Sequence, residues 1–171
     1  MQEIAIERLQ LNPFGKIGKE WMLVAAGKPA QCNAMTASWG GMGVMWGKNV
    51  AAAVIRPQRH TLQFLEANDT FTLSFFEEAH RAALQYCGSH SGGENKKIAA
   101  AGLTLAPGGD APVFNEAKLT LVCKKLYRQP MDPAGLLDPD IDGTWYPDHD
   151  YHILFVGEIV KALQNESASM K

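Results

Sequence analysis

The six residues from Thr70 to Phe75 (TFTLSF) alternate polar and apolar without a break. A period of two puts Phe71, Leu73 and Phe75 on one face of a half-buried β-strand. Other apolar runs are rich in β-branched and aromatic residues, which also favours strands. Trp21 to Ala26 (WMLVAA) is one, and the turn chemistry of Gly27-Lys28-Pro29 follows it. Gln31 to Ser38 is placed to return as the second strand of a hairpin. Val50 to Ile55 (VAAAVI) is another run, and it stops at Arg56-Pro57, where proline removes a ladder donor. Lys118 to Tyr127 and His152 to Leu163 are long enough to be further strands. Helical spacing is weaker. Leu62, Phe64 and Leu65 suit one short helix, His80 to Tyr86 a second, and Lys96 to Ala101 a third closed by Gly102. Pro130 to Pro147, rich in proline and aspartate, reads as a long surface loop.

Strands thus outnumber helices, and no regular strand–helix–strand units join them. The pattern predicts a mostly antiparallel barrel with peripheral short helices. A doubly wound parallel fold is disfavoured, since neither a GxGxxG turn nor a P-loop is present.

One stretch resists a purely structural reading. Asn33 to Gly47 (NAMTASWGGMGVMWG) holds four glycines, three methionines and two tryptophans, and no charge occurs between Lys28 and Lys48. Such a segment can cross a membrane, enter a core, or lie against a large uncharged planar ligand. Gln31, Asn33, Thr36 and Ser38 interrupt the run of about 20 apolar residues that a spanning helix needs. Core and ligand both remain open. On a strand, Thr36 and Ser38 share one face and Met35 and Ala37 the other. Gly40, Gly41 and Gly43 then read as a loop with unusual dihedrals.

Bulk properties narrow the class. The 171 residues suit one domain, and a net charge of −2 gives no footprint for nucleic acid or an anionic membrane. Cys32, Cys87 and Cys123 are odd in number and widely spaced, so no zinc site or disulfide frame is expected. The opening residues MQEIAIERLQ lack the apolar core of a signal peptide. The expectation is a soluble, reduced, cytoplasmic protein.

Two further clusters carry chemistry-capable groups. Arg56 and Arg59 lie three apart around Pro57 (RPQRH) and can aim two guanidiniums at one anion, or can be solvated in a surface turn. Cys87 to Lys97 (CGSHSGGENKK) offers Ser89, Ser91, bare backbone and a lysine, a set able to cradle phosphate or merely to connect two helices. Taken together, the clusters fit a ligand with a flat neutral portion and an anionic tail. FMN is one of many such ligands.

The run from Asn33 to Phe76, with CGSHSG…NKKIAAAGLT and HDYHILFVGEIV in that order, resembles the flavin reductase-like, FMN-binding split-barrel family and its flavoredoxin-type members. The resemblance covers about Trp21 to Val160. It implies a mainly β fold, a six-stranded antiparallel Greek-key split β-barrel with peripheral short helices, in a single domain over 1–171 with a core at 17–163. It further implies a homodimer with FMN near the interface. Asn33, Met35, Thr36, Ala37, Ser38 and Trp39 are expected beside the isoalloxazine ring. Arg56, Pro57, Arg59, Ser89, Ser91, Gly92 and Lys96 are expected at the ribityl phosphate. His152 corresponds to a family histidine near the flavin and nicotinamide. Two departures stand out: Gly93 replaces a frequent basic residue, and Tyr151 separates Asp150 from His152.

The resemblance therefore points to an NAD(P)H-dependent flavin reductase, with NADH or NADPH as donor and reduced flavin passed to another acceptor. The alternative is an FMN electron carrier reduced by a partner protein. A third reading is a redox sensor using Cys87. Neither nucleic acid nor a membrane is expected as a partner.

Overall fold

The computed structural model describes residues 1–91 and 95–165. Among the described residues, eight strands form one antiparallel sheet: β1 (Gln2–Ile4), β2 (Met22–Lys28), β3 (Gln31–Ala37), β4 (Gly40–Met45), β5 (Lys48–Ile55), β6 (Thr70–Phe75), β7 (Leu119–Pro130) and β8 (Ile153–Gln164). Their order is β3-β2-β6-β7-β8-β5-β4, with β1 added on β8. The helices are short: α1 (Pro13–Gly15), α2 (Thr61–Ala67), α3 (Arg81–Ser89), α4 (Asn95–Ala100) and α5 (Pro139–Trp145). None of the described helices is long and apolar enough to cross a membrane.

The expected hairpin is present, with Met22 paired to Ala37 and Lys28 to Gln31. Its first strand is buried on both faces. Met22, Val24 and Ala26 enter the main core with Phe71, Leu73, Phe75, Leu121 and Phe155. Leu23 and Ala25 face a second core, where Leu84, Cys87 and Ile98 pack from α3 and α4. Helices on the outer face explain why WMLVAA does not alternate. They also fix the position of α3 against β3, which matters for the site.

Three expectations change. TFTLSF is not half-buried, because Thr72 and Ser74 are fully buried too. Their hydroxyls are satisfied inside, Thr72 donating to the Pro112 carbonyl at 2.8 Å and Ser74 sharing a 3.0 Å bond with Thr120. The glycine-rich stretch is a strand, not a loop. Gly41 to Val44 pair with Ala52 to Asn49, and the pairing itself supplies the order that the composition lacks. Only Gly40 there needs to be glycine for space, since a Cβ would lie 2.2 Å from the Ala52 carbonyl oxygen. Trp46 and Gly47, at φ of 53° and 68°, make the two-residue turn into β5. Finally, the 130–147 segment is not all loop. Asp132 and Asp138 each accept a backbone N–H two residues on, and each precedes a proline at the first helical position of a short turn or helix.

Candidate functional site

β3 runs out at Ala37, and Ser38 and Trp39 carry the chain across to β4. Residues 35–39 form one wall of a cleft of about 310 Å³. Val54 and Arg56, at the end of β5, line its floor with Arg59. Trp145 and His152 close the far side. A neighbouring cleft of about 470 Å³ shares Thr36 to Ser38 and adds Trp21, Leu84, Gly88 and Ser89. One neutral ledge thus separates a polar recess from a more apolar one. The Thr36 hydroxyl is already used, donating to the Leu84 carbonyl at 2.5 Å and tying the ledge to α3.

The two arginines of the RPQR turn diverge. Arg56 pairs with Asp150 and also donates to the Trp145 carbonyl at 2.9 Å. Its guanidinium lies 5.4 Å from the Tyr146 ring centre. Gln58 completes the carboxylate at 2.6 Å. The Gln58 and Arg56 hydrogen bonds hold the Asp150 pKa below the usual carboxylate range. Arg59 turns the other way and donates to the carbonyls of Gly88 (2.8 Å) and Cys87 (3.4 Å). Burial lowers its pKa, with the Cys87 thiol opposing.

A second cation stands nearby that the sequence reading passed over. Lys96, the expected ligand, is exposed on α4, whereas Lys97 is only 7% exposed. Its Nζ lies 3.4 Å from the His90 carbonyl and 3.5 Å from Oδ1 of Asn33. Burial lowers its pKa first, and Arg59 adds to that while Cys87 opposes. Among the described residues neither Arg59 nor Lys97 has a carboxylate within 4.0 Å. Cys87 is buried within range of both charges, and burial raises its thiol pKa despite them. A protonated, enclosed thiol is a poor nucleophile or sensor.

On the opposite side, α5 delivers two aromatic residues. Trp145 meets Trp39 edge to face at 4.9 Å between centroids, and Trp39 lies 5.0 Å from the His152 ring. The buried Tyr146 hydroxyl is 2.9 Å from Nδ1 of His152. Burial, then the Arg56 charge, lowers the His152 pKa to about 4 against the pull of Asp150. The ring is therefore neutral at physiological pH.

The expected residues fall into three groups. Met35, Thr36, Ala37, Ser38, Trp39, Arg56, Arg59 and His152 share the first cleft, and Ser89 lines the second. Asn33 is fully buried behind the wall, where its Oδ1 accepts from Thr61 at 2.7 Å and faces Lys97. Pro57, Ser91 and Lys96 are exposed and line neither cleft, and Gly92 lies outside the described residues.

A profile of the flavin reductase like domain matches residues 14–171. The chain belongs to that family. Solved structures place its fold in the same company. Flavoredoxin from Methanosarcina acetivorans matches over 93% of this chain and 76% of its own at TM-score 0.64 and 20% identity. The FMN-binding domain of a flavin reductases-like enzyme from Shewanella baltica matches over 94% and 75%, at 0.66 and 19%. An NADH:FAD oxidoreductase from Streptomyces globisporus matches over 90% and 80%, at 0.65 and 19%. No curated protein sequence matches the chain. At such identities the neighbours speak for the fold. What this member of the flavin reductase like family does rests on its own cleft.

Proposed function

We propose that the chain binds FMN and acts as an NAD(P)H-dependent flavin reductase. The observation that carries this reading is an uncharged wall, residues 35–39, sharing one cleft with Arg59, a cation that lacks a carboxylate partner among the described residues; buried Lys97 lines neither cleft and stands behind the wall, where it meets Asn33. A planar neutral ring with a phosphate tail complements both. Arg59 and Lys97 are the groups to hold the phosphate, and the Ser89 hydroxyl, which donates to the Gln85 carbonyl at 2.9 Å, has to turn from it to join them. Trp39 and Ser38 are the groups to meet the ring. When bound, FMN supplies the hydride acceptor that the side chains of this cleft lack. Trp39 and Trp145 exclude water, and neutral His152 offers a hydrogen bond without adding charge. Arg56 serves as a strut, its charge already matched by Asp150.

The six strands β2, β3, β5, β6, β7 and β8 feed the main core, which supports a six-stranded split barrel with β1 and β4 as additions. The exposed apolar residues Val44, Met45 and Trp46 on the β4–β5 hairpin support a homodimer through that edge. Sedimentation at increasing protein concentration tests it, and a monomer throughout removes the proposal.

The function is tested by the absorption spectrum of purified protein titrated with FMN, followed by anaerobic mixing with NADH and with NADPH. The reading requires flavin uptake and rapid bleaching by at least one nicotinamide. One observation favours a second reading, an FMN electron carrier served by a partner protein. Trp145 stands edge-on against Trp39 and narrows the cleft where a nicotinamide has to enter. Flavin uptake without bleaching selects the carrier.

A further inference from the structure

The segment between β7 and β8 contributes more than a wall. Its buried Tyr146 has two possible acceptors for one hydroxyl proton: Nδ1 of His152 at 2.9 Å and the Met131 thioether sulfur at 3.4 Å. An imidazole nitrogen is a far better acceptor than a thioether. The proton therefore points to Nδ1, which then carries none of its own. In a neutral imidazole the remaining proton sits on Nε2. The charges around the pair agree with neutrality on both sides. Burial first, and Arg56 second, keep His152 unprotonated, while burial above all keeps the Tyr146 hydroxyl protonated.

The other end of the ring faces the cleft. His152 lines it, and the backbone carbonyl of His152 is fixed by the Met131 amide at 2.9 Å. Nε2 has no partner among the described residues, yet it is not among the buried atoms left unsatisfied, of which His80 Nδ1 is the one found. Nε2 is thus open to solvent or ligand.

We propose that Tyr146 is a positioning residue that fixes His152 as the Nε2–H tautomer, so that the cleft presents a neutral hydrogen-bond donor at this point. The group it suits is a carbonyl oxygen, such as that of a carboxamide or of a flavin pyrimidine ring. The opposite tautomer would turn a lone pair toward that oxygen and repel it. The identity of the acceptor rests on the reductase reading, whereas the tautomer does not.

The test has two arms, both using Tyr146→Phe, which keeps the packed ring and deletes the hydroxyl. In the first, long-range ¹H–¹⁵N spectra of the protein without nicotinamide report the His152 tautomer near neutral pH. Nε2–H is expected in the wild type and a mixture in the variant. Nδ1–H in the wild type, or an unchanged tautomer in the variant, overturns the proposal. In the second arm, single-turnover bleaching of the FMN-loaded protein by NADH and NADPH is compared between the two. Loss of one neutral hydrogen bond slows it about tenfold while FMN affinity holds. The double variant Tyr146→Phe with His152→Ala is expected to be no slower than His152→Ala alone, because one residue acts through the other. Additive losses overturn the positioning role. If neither nicotinamide bleaches the wild type, the reductase reading falls and the spectra still decide the tautomer.

Discussion

Arg56 and Arg59 leave one short turn three residues apart, and their charges meet opposite fates. Arg56 reaches Asp150, whose carboxylate cancels its charge while Gln58 fills the remaining oxygen. Among the described residues, Arg59 reaches only the carbonyl dipoles of Cys87 and Gly88. Dipoles satisfy donors without removing net charge. The α5 end of the cleft is thereby neutral, and the end beside α3, where Arg59 lies, is cationic, with buried Lys97 behind it lining neither cleft. A buried or half-buried positive pair with no carboxylate is costly unless an anion joins it. On the proposed reading, Arg59 binds the ligand and Arg56 is scaffold.

The sharpest way to break this contrast is to remove the cationic end. Replacing Arg59 and Lys97 together by Met is expected to weaken FMN binding by about a hundredfold or more, since each charged hydrogen bond contributes about 1.5–3 kcal/mol. Flavin fluorescence titration reads it, and a loss below tenfold would reverse the assignment. Arg56→Met sits next in size. It is expected to lower the melting temperature, because Asp150 and the Trp145 carbonyl lose their donor, while FMN affinity stays within about threefold. Equal losses for the two single substitutions, Arg56→Met and Arg59→Met, would erase the difference between them. Asp150→Asn sharpens the point in the other direction. It frees the Arg56 charge, so affinity for FMN is expected to rise modestly at low salt and to return toward wild type as salt screens it.

The smallest effect concerns pH. The folded-state pKa of His152 is about 4, below its ordinary 6.5. As pH falls, the unfolded chain takes up this proton before the folded one does. The stabilisation from a neutral His152 is therefore full above pH about 6.5 and is lost as pH falls toward about 4. An NMR titration of the ring is expected to find its midpoint near 4, and a midpoint at or above 6.5 would place a charged group at the neutral end.

How much of this was legible in the chain follows the range of each interaction. Strands β2, β3, β5, β6, β7 and β8 were readable because β-branched and aromatic runs are local signals. The wall at residues 35–39 was readable because a charge-free stretch is. The partner of Arg56 was not, since Asp150 lies 94 positions away and only the β5–β8 pairing brings it close. That Lys97 and not Lys96 is the buried lysine was illegible for a similar reason. Neighbours on a helix point about 100° apart, and only the docking of α4 on β3 decides which one turns inward. Asn33 looked like a ring contact, but the α2 contact through Thr61 draws it under the wall. The helix α5 carried a readable signal after all, an aspartate followed by proline, which the surrounding prolines obscured.

The central claim is that a phosphate-sized anion completes Arg59 and Lys97. Parallel titration of the purified protein with FMN and with riboflavin, which shares the ring and lacks the phosphate, tests it most directly. FMN is expected to bind about a hundredfold more tightly than riboflavin; equal affinities would remove the phosphate from the site.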